Sequence, residues 1–215
     1  MNFKKIDLNN YYRKDAFIRF SKGVKCSFSM TTKIDVSKLY EFSKRSNTKF
    51  YINFLYIVTK VINSRDDFKM SYLSESDELI CYEKVNPIQY IFHEETKTVS
   101  LAYSTYYEDY KTFYKNALND IEVAKKQKNY GFDPINHPNW FDASVMPFSS
   151  YESFNIELPD GNIYLAPIVN WGKYKNENGK LIMPVTIRLN HAICDGYHAG
   201  LFFNLIEKEI QYFVE

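Results

Sequence analysis

A candidate catalytic segment lies near the carboxyl end of the chain. An apolar run rich in β-branched residues ends at His191, and Asp195 and Gly196 follow before a helix-like apolar pattern begins. A lone histidine at a strand end is more often a hydrogen-bonded core residue, but few core segments need His and Asp-Gly in this order. Near pH 7 a neutral histidine can take a proton from an attacking hydroxyl. The pattern therefore favours His191 as a general base.

The composition limits the classes of partner. The chain has 215 residues, of which 45% are hydrophobic and 18% aromatic, so we expect one domain over residues 1–215 with a large buried core. A net charge of +1 offers no broad basic field for nucleic acid or for anionic lipid. No stretch of about 20 apolar residues predicts a membrane span, and residues 1–7 lack the apolar region of a secretory signal.

The spacing of cysteines and histidines argues against a metal centre. Cys26, Cys81 and Cys194 are odd in number and lack C-x-x-C spacing, which fits a reducing compartment rather than a disulfide framework. His93 and His137 have no metal-ligand spacing, and neither belongs to an H-E-x-x-H pair. We therefore expect a cytoplasmic protein with no bound metal.

The hydrophobic pattern predicts the helices and strands around His191. Helical spacing of apolar residues and capping residues predict helices over 36–45, 50–63, 107–128 and 197–213. Alternating or short apolar runs predict strands at 24–34, 68–73, 78–83, 88–93, 97–103, 141–146, 151–157, 163–171 and 181–190. Strands and helices that do not alternate strictly indicate an α+β fold, with helices layered on a large mixed β-sheet.

The segment around His191 resembles a known catalytic signature. The spacing His-x-x-x-Asp-Gly is similar to that of acyltransferases that use coenzyme A, and the longer form with Cys194, Tyr197 and His198 resembles the chloramphenicol acetyltransferase family. The resemblance implies that family's fold, a two-layer sandwich. Further similar segments cover nearly the whole chain: Ile6-Asp7, Tyr12–Lys14, Cys26–Met30, Lys33–Asp35, Phe92–Thr98, Ala143–Pro147, Ser153–Asn155, Ala166-Pro167, Gly172–Tyr174 and Pro184.

The resemblance implies roles for four side chains. His191 would take the proton from the primary hydroxyl of chloramphenicol as that oxygen attacks acetyl-CoA. Ser144 would stabilise the tetrahedral oxyanion with its hydroxyl. Asp195 would pair with Arg13 and fix the turn that carries His191, without transferring protons itself.

Five other residues receive expectations from the same resemblance. Lys173 and Tyr174 match positions along the coenzyme A channel, although the sequence leaves a solvated hairpin open as the alternative. Cys26 resembles a cysteine that forms a wall of the acceptor pocket. Because the family mechanism is direct attack in a ternary complex, Cys194 is expected to pack rather than to act as a nucleophile. His198, at a helix start, is interpreted as structural.

Several positions depart from the family pattern. Asn190 stands where a second histidine commonly precedes the base, and Asn170 stands where a threonine commonly holds a water near the reacting centre. Phe148 replaces a tryptophan, while Phe20 and Val99 stand where Tyr and Phe are expected in the antibiotic pocket. These changes lie around the acceptor, so another hydroxylated small molecule stays open as the acceptor of the acetyl group.

The resemblance also implies a homotrimer with active sites at its subunit interfaces. His191 would come from one subunit, and much of the acceptor pocket, including Phe20 and Cys26, from its neighbour. An acyltransferase core of a 2-oxo-acid dehydrogenase complex is an alternative, against which the lack of a lipoyl domain or flexible linker argues. A further alternative is a binding module that keeps an inactive motif. The motif is intact, however, at His191, Ser144 and Asp195.

Overall fold

Ten β-strands and five α-helices form the regular structure of the computed structural model, which describes residues 2–127, 129–158 and 163–213. A π-helical turn, Arg19–Gly23, and a 3-10 helix, Asp66–Phe68, complete these elements. The strands are β1 (Phe3–Lys5), β2 (Ser27–Asp35), β3 (Met70–Leu73), β4 (Glu78–Tyr82), β5 (Asn86–His93), β6 (Thr98–Tyr103), β7 (Trp140–Met146), β8 (Ile168–Gly172), β9 (Lys175–Glu177) and β10 (Lys180–Asn190). The helices are α1 (Lys14–Ile18), α2 (Ser37–Arg45), α3 (Phe50–Asn63), α4 (Tyr110–Lys126) and α5 (Gly196–Tyr212).

One large mixed sheet organises the fold. Its strand order is β2-β10-β8-β7-β5-β6, and β9 pairs with β10 beside this path. β7 runs parallel to β5 and β8, whereas the other neighbours are antiparallel. A smaller antiparallel sheet has the order β1-β4-β3.

The long strand β10 shows why the large sheet has two different faces. Val185 and Ile187 are fully buried in the hydrophobic core, and Thr186 between them projects to the opposite face because strand residues alternate. Trp171 pairs with Val185, and its ring centroid lies 5.1 Å from that of Phe54 in α3. The helices therefore cover the apolar face, and the other face carries the polar residues.

Helix α5 begins at the point where the chain leaves β10. The Asp195 carboxylate accepts a hydrogen bond of 3.0 Å from the main-chain N–H of Tyr197, which caps the helix. Such a cap typically contributes about 1 kcal/mol to stability. It also fixes where strand becomes helix, and so where His191 stands. None of the helices in the described ranges is both long and apolar enough to span a membrane.

The predicted α+β class, with helices layered on a large mixed sheet, is confirmed. The helix predicted over 107–128 starts later, at Tyr110, because the Asp109 side chain accepts a hydrogen bond of 2.8 Å from the N–H of Thr112 and ends the preceding extended segment. It ends at Lys126, and Lys128 lies outside the described residues.

The strand predicted at 151–157 is wrong. This segment has no regular secondary structure and lies over the polar face of the sheet, where Asn155 accepts a hydrogen bond of 2.7 Å from Ser29. Tyr151 likewise donates to the side chain of Asn170 on β8, at 2.7 Å. The strand predicted at 163–171 is shorter, Ile168–Gly172. Pro167, which has no N–H for a ladder, directly precedes it.

Candidate active site

The turn between β10 and α5 presents His191. Asn190 organises it, because its carbonyl accepts hydrogen bonds from the N–H groups of Ile193 (3.3 Å) and Cys194 (3.0 Å). The side-chain oxygen of Asn190 accepts a further bond of 2.9 Å from the N–H of Ala192. The asparagine that departs from the family pattern is therefore a capping residue of the turn, a role suited to its short amide.

The imidazole of His191 is held on three sides. Its Nδ1 lies 2.9 Å from the carbonyl oxygen of Cys194, and a carbonyl can only accept, so Nδ1 carries the proton. The ring of Phe20 stacks on the imidazole at 4.3 Å between centroids with an interplanar angle of 18°. Phe28 approaches edge-on at 5.5 Å. This geometry leaves Nε2 with a free lone pair, as a general base requires.

Phe20 and Cys26 both lie beside His191 of their own chain. The N–H of His191 donates a hydrogen bond of 2.9 Å to the carbonyl of Cys26, which continues the β2–β10 ladder by one residue. The expectation that a neighbouring subunit supplies these two residues is wrong, because the strand pairing of a single chain already brings them to the base. Phe28, two residues further along β2, has an aromatic ring that sequence reasoning did not assign to the site.

Arg13 and Asp195 form the predicted pair. Nη1 of Arg13 lies 2.6 Å from Oδ2 of Asp195, and Nη2 donates to the main-chain carbonyl of His191 at 3.3 Å. Burial opposes ionisation of Asp195, but hydrogen bonds from His198 and Arg13 outweigh it and lower the pKa of this carboxyl to about 2. Arg13 thus links the carbonyl of His191, at the start of the turn, to the carboxylate of Asp195, at its end.

Cys194 is packed inside the turn. Its side chain is fully buried, and its Sγ lies 3.6 Å from the main-chain oxygen of Asp67. Burial raises the pKa of this thiol, so the nucleophilic thiolate is disfavoured. This agrees with the expectation that Cys194 packs rather than reacts.

Ser144 lies in a second cluster, on the polar face of the sheet. It pairs with Asn170 of β8, which pairs in turn with Thr186 of β10. The Asn170 side chain is buried, and its Oδ1 accepts a hydrogen bond of 2.7 Å from the Tyr151 hydroxyl. Thr186 shares a 2.7 Å hydrogen bond with Thr31. Hydroxyl and amide groups thus form a continuous polar row that reaches Ser144.

The two residues expected along the coenzyme A channel lie far from the His191 turn. Lys173 and Tyr174 directly follow β8, at the end of the sheet opposite to the His191 turn. Lys173 is exposed, and the ring of Tyr174 packs against Tyr40 and Phe50, each at 5.5 Å. Their side chains border solvent, as a channel wall or a hairpin would.

Val99 lies on the edge strand β6. It pairs with Phe92 of β5, and the ring of Phe92 contacts that of Phe148 at 5.3 Å. Phe92 and Phe148 are both exposed, so this corner of the polar face presents an apolar surface around Val99.

His191 and Ser144 do not come together within one chain. Ser144 is level with Thr186, whereas His191 lies five residues further along β10 and two strands away. At about 3.3 Å per residue and about 4.8 Å per strand, their separation is on the order of 15–20 Å. The described residues contain no group of three or more histidine, cysteine or acidic side chains poised for a metal ion.

Solved acetyltransferases share this fold. A solved chloramphenicol acetyltransferase matches with a TM-score of 0.84 and 22% sequence identity, over 97% of this chain and all 100% of that one. A probable dihydrolipoamide acetyltransferase from Listeria monocytogenes matches with a TM-score of 0.64 and 15% identity, over 97% of this chain and 94% of that one.

The sequence places the chain more narrowly. Residues 1–207 match the family model of chloramphenicol acetyltransferase, and the chain belongs to that family. A chloramphenicol acetyltransferase from Staphylococcus aureus is 38% identical over 209 residues, which is 97% of this chain and 95% of that protein. The family resemblance expected from the residues around His191 is thereby confirmed.

Proposed function

We propose that this protein transfers the acetyl group of acetyl-CoA to the primary hydroxyl of chloramphenicol, with His191 as the general base. The observation that carries the proposal is the held imidazole, whose Nδ1–H faces the Cys194 carbonyl and whose Nε2 is free. Family membership over residues 1–207 supports the reaction and its two substrates, and supports a single domain. The reaction belongs in the cytoplasm, where acetyl-CoA is available.

The proposed steps use His191 and Ser144. Nε2 of His191 takes the hydroxyl proton as the oxygen attacks the thioester carbonyl. Ser144 donates a hydrogen bond to the oxyanion that forms. The tetrahedral intermediate expels the coenzyme A thiolate, which recovers the proton from the imidazolium. The products are the acetyl ester and free coenzyme A, and the base is neutral again.

The catalytic site is completed by a second copy of the chain. His191 and Ser144 are on the order of 15–20 Å apart in one chain, too far to act on the same carbonyl. A closed ring of identical chains lets the His191 turn of one subunit meet the Ser144 row of the next. The exposed Phe92 and Phe148 supply apolar surface for such a contact. Three copies, as in the family resemblance, give three equal sites.

A related O-acetyltransferase with another hydroxylated acceptor is the second candidate. Phe20, Val99 and Asn170 depart from the family pattern around the acceptor, and the Asn170 amide already accepts a hydrogen bond from Tyr151. These changes alter the wall that recognises the alcohol, and leave His191, Ser144 and the Arg13–Asp195 pair intact.

Consumption of acetyl-CoA by the pure protein, with and without chloramphenicol, tests the reaction. We expect chloramphenicol-dependent release of coenzyme A, and a loss of about 100- to 10,000-fold in His191→Ala. Turnover with other primary alcohols but not with chloramphenicol would favour the second candidate. No acceptor-dependent release from the folded wild type would contradict both.

Mixed oligomers test whether two copies share the site. His191→Ala and Ser144→Ala are each expected to be nearly inactive alone. When the two variants are co-expressed and mix at random, about a quarter of the interfaces pair an intact His191 with an intact Ser144. We therefore expect about a quarter of wild-type activity. A mixture no more active than its parents would show that both residues act from one chain.

A further inference from the structure

An exposed cation lies beside the candidate base. The guanidinium carbon of Arg19 is 5.6 Å from the centroid of the Phe20 ring, and the imidazole of His191 stacks on the same ring at 4.3 Å between centroids. The guanidinium and the imidazole are therefore at most about 10 Å apart. Arg19 is exposed, so a small molecule bound at the base can reach it.

The charge of Arg19 is not neutralised by a neighbouring acid. Within the described residues no ion pair joins Arg19 to a carboxylate, not even to that of Asp15, one helical turn earlier. Asp195, in the turn that carries His191, is already paired with Arg13 at 2.6 Å. The Arg19 guanidinium is therefore available to an anion that comes from solution.

The Phe20 ring limits the freedom of this cation. An aromatic ring attracts a guanidinium that lies over its face, and the attraction is weak but directional. A side chain that is already held near its bound position loses less conformational entropy when a ligand arrives. Arg19 is thus better placed to select a ligand than an arginine that extends freely into solvent.

A second arginine lies behind the acceptor wall, which we define as Phe20, Cys26 and Phe28. Arg188 is 5% exposed, and its Nη2 donates a hydrogen bond of 2.7 Å to the hydroxyl oxygen of Ser27, between Cys26 and Phe28. Its Nε and Nη1 are buried and have no hydrogen bond partner in the described part of the chain. Both arginines therefore adjoin the same wall.

The charge of Arg188 is only partly compensated. Burial lowers the pKa of this guanidinium, and Tyr164 and Asp142 act in the opposite direction. No ion pair joins Arg188 to an acid in the described ranges, and the Asp142 carboxylate accepts hydrogen bonds from the hydroxyls of Tyr90 and Tyr164 instead. An arginine keeps its proton in proteins, so the acceptor wall has a positive potential.

We propose that Arg19 is a specificity-determining residue of the acceptor site, which selects alcohols that carry a carboxylate within about 10 Å of the hydroxyl. The hydroxyl would bind at Nε2 of His191, and the carboxylate would accept the paired N–H groups of the guanidinium. Arg188 adds positive potential from behind the wall. This inference rests on the proposed function, and it names the class of acceptor for the second candidate.

A matched pair of acceptors tests the selection of charge. One is the chloramphenicol analogue with a carboxylate in place of its nitro group, and the other is the corresponding carboxamide, which has nearly the same shape and no charge. We expect the wild type to show a kcat/KM about fivefold higher for the carboxylate, as an exposed ion pair allows. High salt should reduce this preference. Equal values of kcat/KM at low salt would overturn the proposal.

Two substitutions of Arg19 assign the preference to its charge. Arg19→Gln should abolish the preference for the carboxylate, and Arg19→Lys should keep part of it. Lys22→Gln is the matched control, because Lys22 is an exposed cation of the same π-helical turn but already pairs with Asp77 at 2.9 Å. A preference that survives in Arg19→Gln, or that the control loses equally, would contradict the role of Arg19.

The mass of the protein in solution distinguishes an acceptor site from a subunit contact. We expect light scattering to give the same mass for Arg19→Gln as for the wild type. A smaller mass for the variant would show that Arg19 pairs with a neighbouring copy of the chain, and would overturn its role in selecting the acceptor.

Calorimetric binding of the two analogues separates this inference from the proposed function, because it requires no turnover. We expect the wild type to bind the carboxylate more tightly than the carboxamide, and Arg19→Gln to bind both equally. Equal affinities in the wild type would overturn the inference. A wild type that acetylates no alcohol would instead contradict the proposed function, and the binding data would then decide the role of Arg19 alone.

Discussion

Nδ1 of His191 lies 2.9 Å from the carbonyl oxygen of Cys194, so the main chain of the turn itself sets the tautomer of the candidate base. A side-chain partner could rotate away or titrate, but a carbonyl inside a hydrogen-bonded turn does neither. In the neutral ring this contact leaves Nε2 as the nitrogen that can accept a proton. The imidazole could still tilt out of its plane, and the stacked ring of Phe20 limits that motion.

Replacing Phe20 with a residue that has no ring should make the His191 imidazole more mobile, while the base itself stays in place. An aromatic pair of this kind contributes about 0.5–1.5 kcal/mol beyond buried area, so we expect Phe20→Leu to lower kcat about 2- to 10-fold. Phe20→Tyr keeps a ring over the imidazole and should stay within about twofold of wild type. Steady-state kinetics with both substrates measure the effect, and equal losses in the two variants would contradict the stacking argument.

The sequence predicted the local parts of this site well. The β-branched run of β10 and the Asp-Gly turn are set by neighbours in the chain, which periodicity and turn rules can read. The Arg13–Asp195 pair came from the family resemblance, because nothing in the spacing of two residues so far apart predicts a contact.

The order of the strands was not predictable in the same way. Whether Ser144 meets His191 depends on β8 lying between β7 and β10, a non-local pairing that hydrophobic alternation does not encode. Residues 151–157 show the same limit, because their apolar and polar alternation is that of a loop packed on the sheet. The π-helical turn that carries Phe20 has no recognised sequence signal.

The ionised Asp195 should make stability depend on pH. Its pKa is lowered to about 2, so its contribution is present above the ordinary carboxyl range near pH 4 and is lost as the pH falls towards 2. We expect Asp195→Asn to lose about 1–2 kcal/mol at pH 7, a modest figure because the side chain is 36% exposed and screened by solvent. Denaturant unfolding at pH 7 and near pH 3 should show the difference from wild type shrinking.

Asp77→Asn is the matched control for that experiment. Asp77 pairs with Lys22 at 2.9 Å, but both side chains are more than half exposed. Its left-handed backbone, with φ of 54°, also suits asparagine. A loss in Asp77→Asn equal to that in Asp195→Asn would mean that burial of the Arg13–Asp195 pair adds nothing.

The three cysteines should react with a thiol reagent in the order of their exposure. Cys26 is half-buried beside His191, whereas Cys81 and Cys194 are buried. Burial raises the pKa of Cys81 to about 11 and also raises that of Cys194. Mass spectrometry after brief labelling of the native protein should find Cys26 modified first, with loss of acetyl transfer. Chloramphenicol should slow this step if Cys26 lines the acceptor pocket, and rapid labelling of Cys194 would contradict its packing.

Asn170→Thr tests whether the altered polar row limits turnover. The Asn170 side chain is buried and its oxygen is occupied by the Tyr151 hydroxyl, so it offers little to a water beside Ser144. A threonine is shorter and carries a hydroxyl that can both donate and accept. Tyr151 keeps its 3.0 Å bond to the main-chain oxygen of residue 170, so the loop should stay in place. We expect kcat for chloramphenicol to rise by about 2- to 5-fold, which corresponds to less than 1 kcal/mol of the activation barrier.

Tyr151→Phe is the control, because it frees the amide of Asn170 without shortening that side chain. A rise in both variants would point to the occupied oxygen as the cause, and an unchanged rate in Asn170→Thr would show that the asparagine does not limit the reaction.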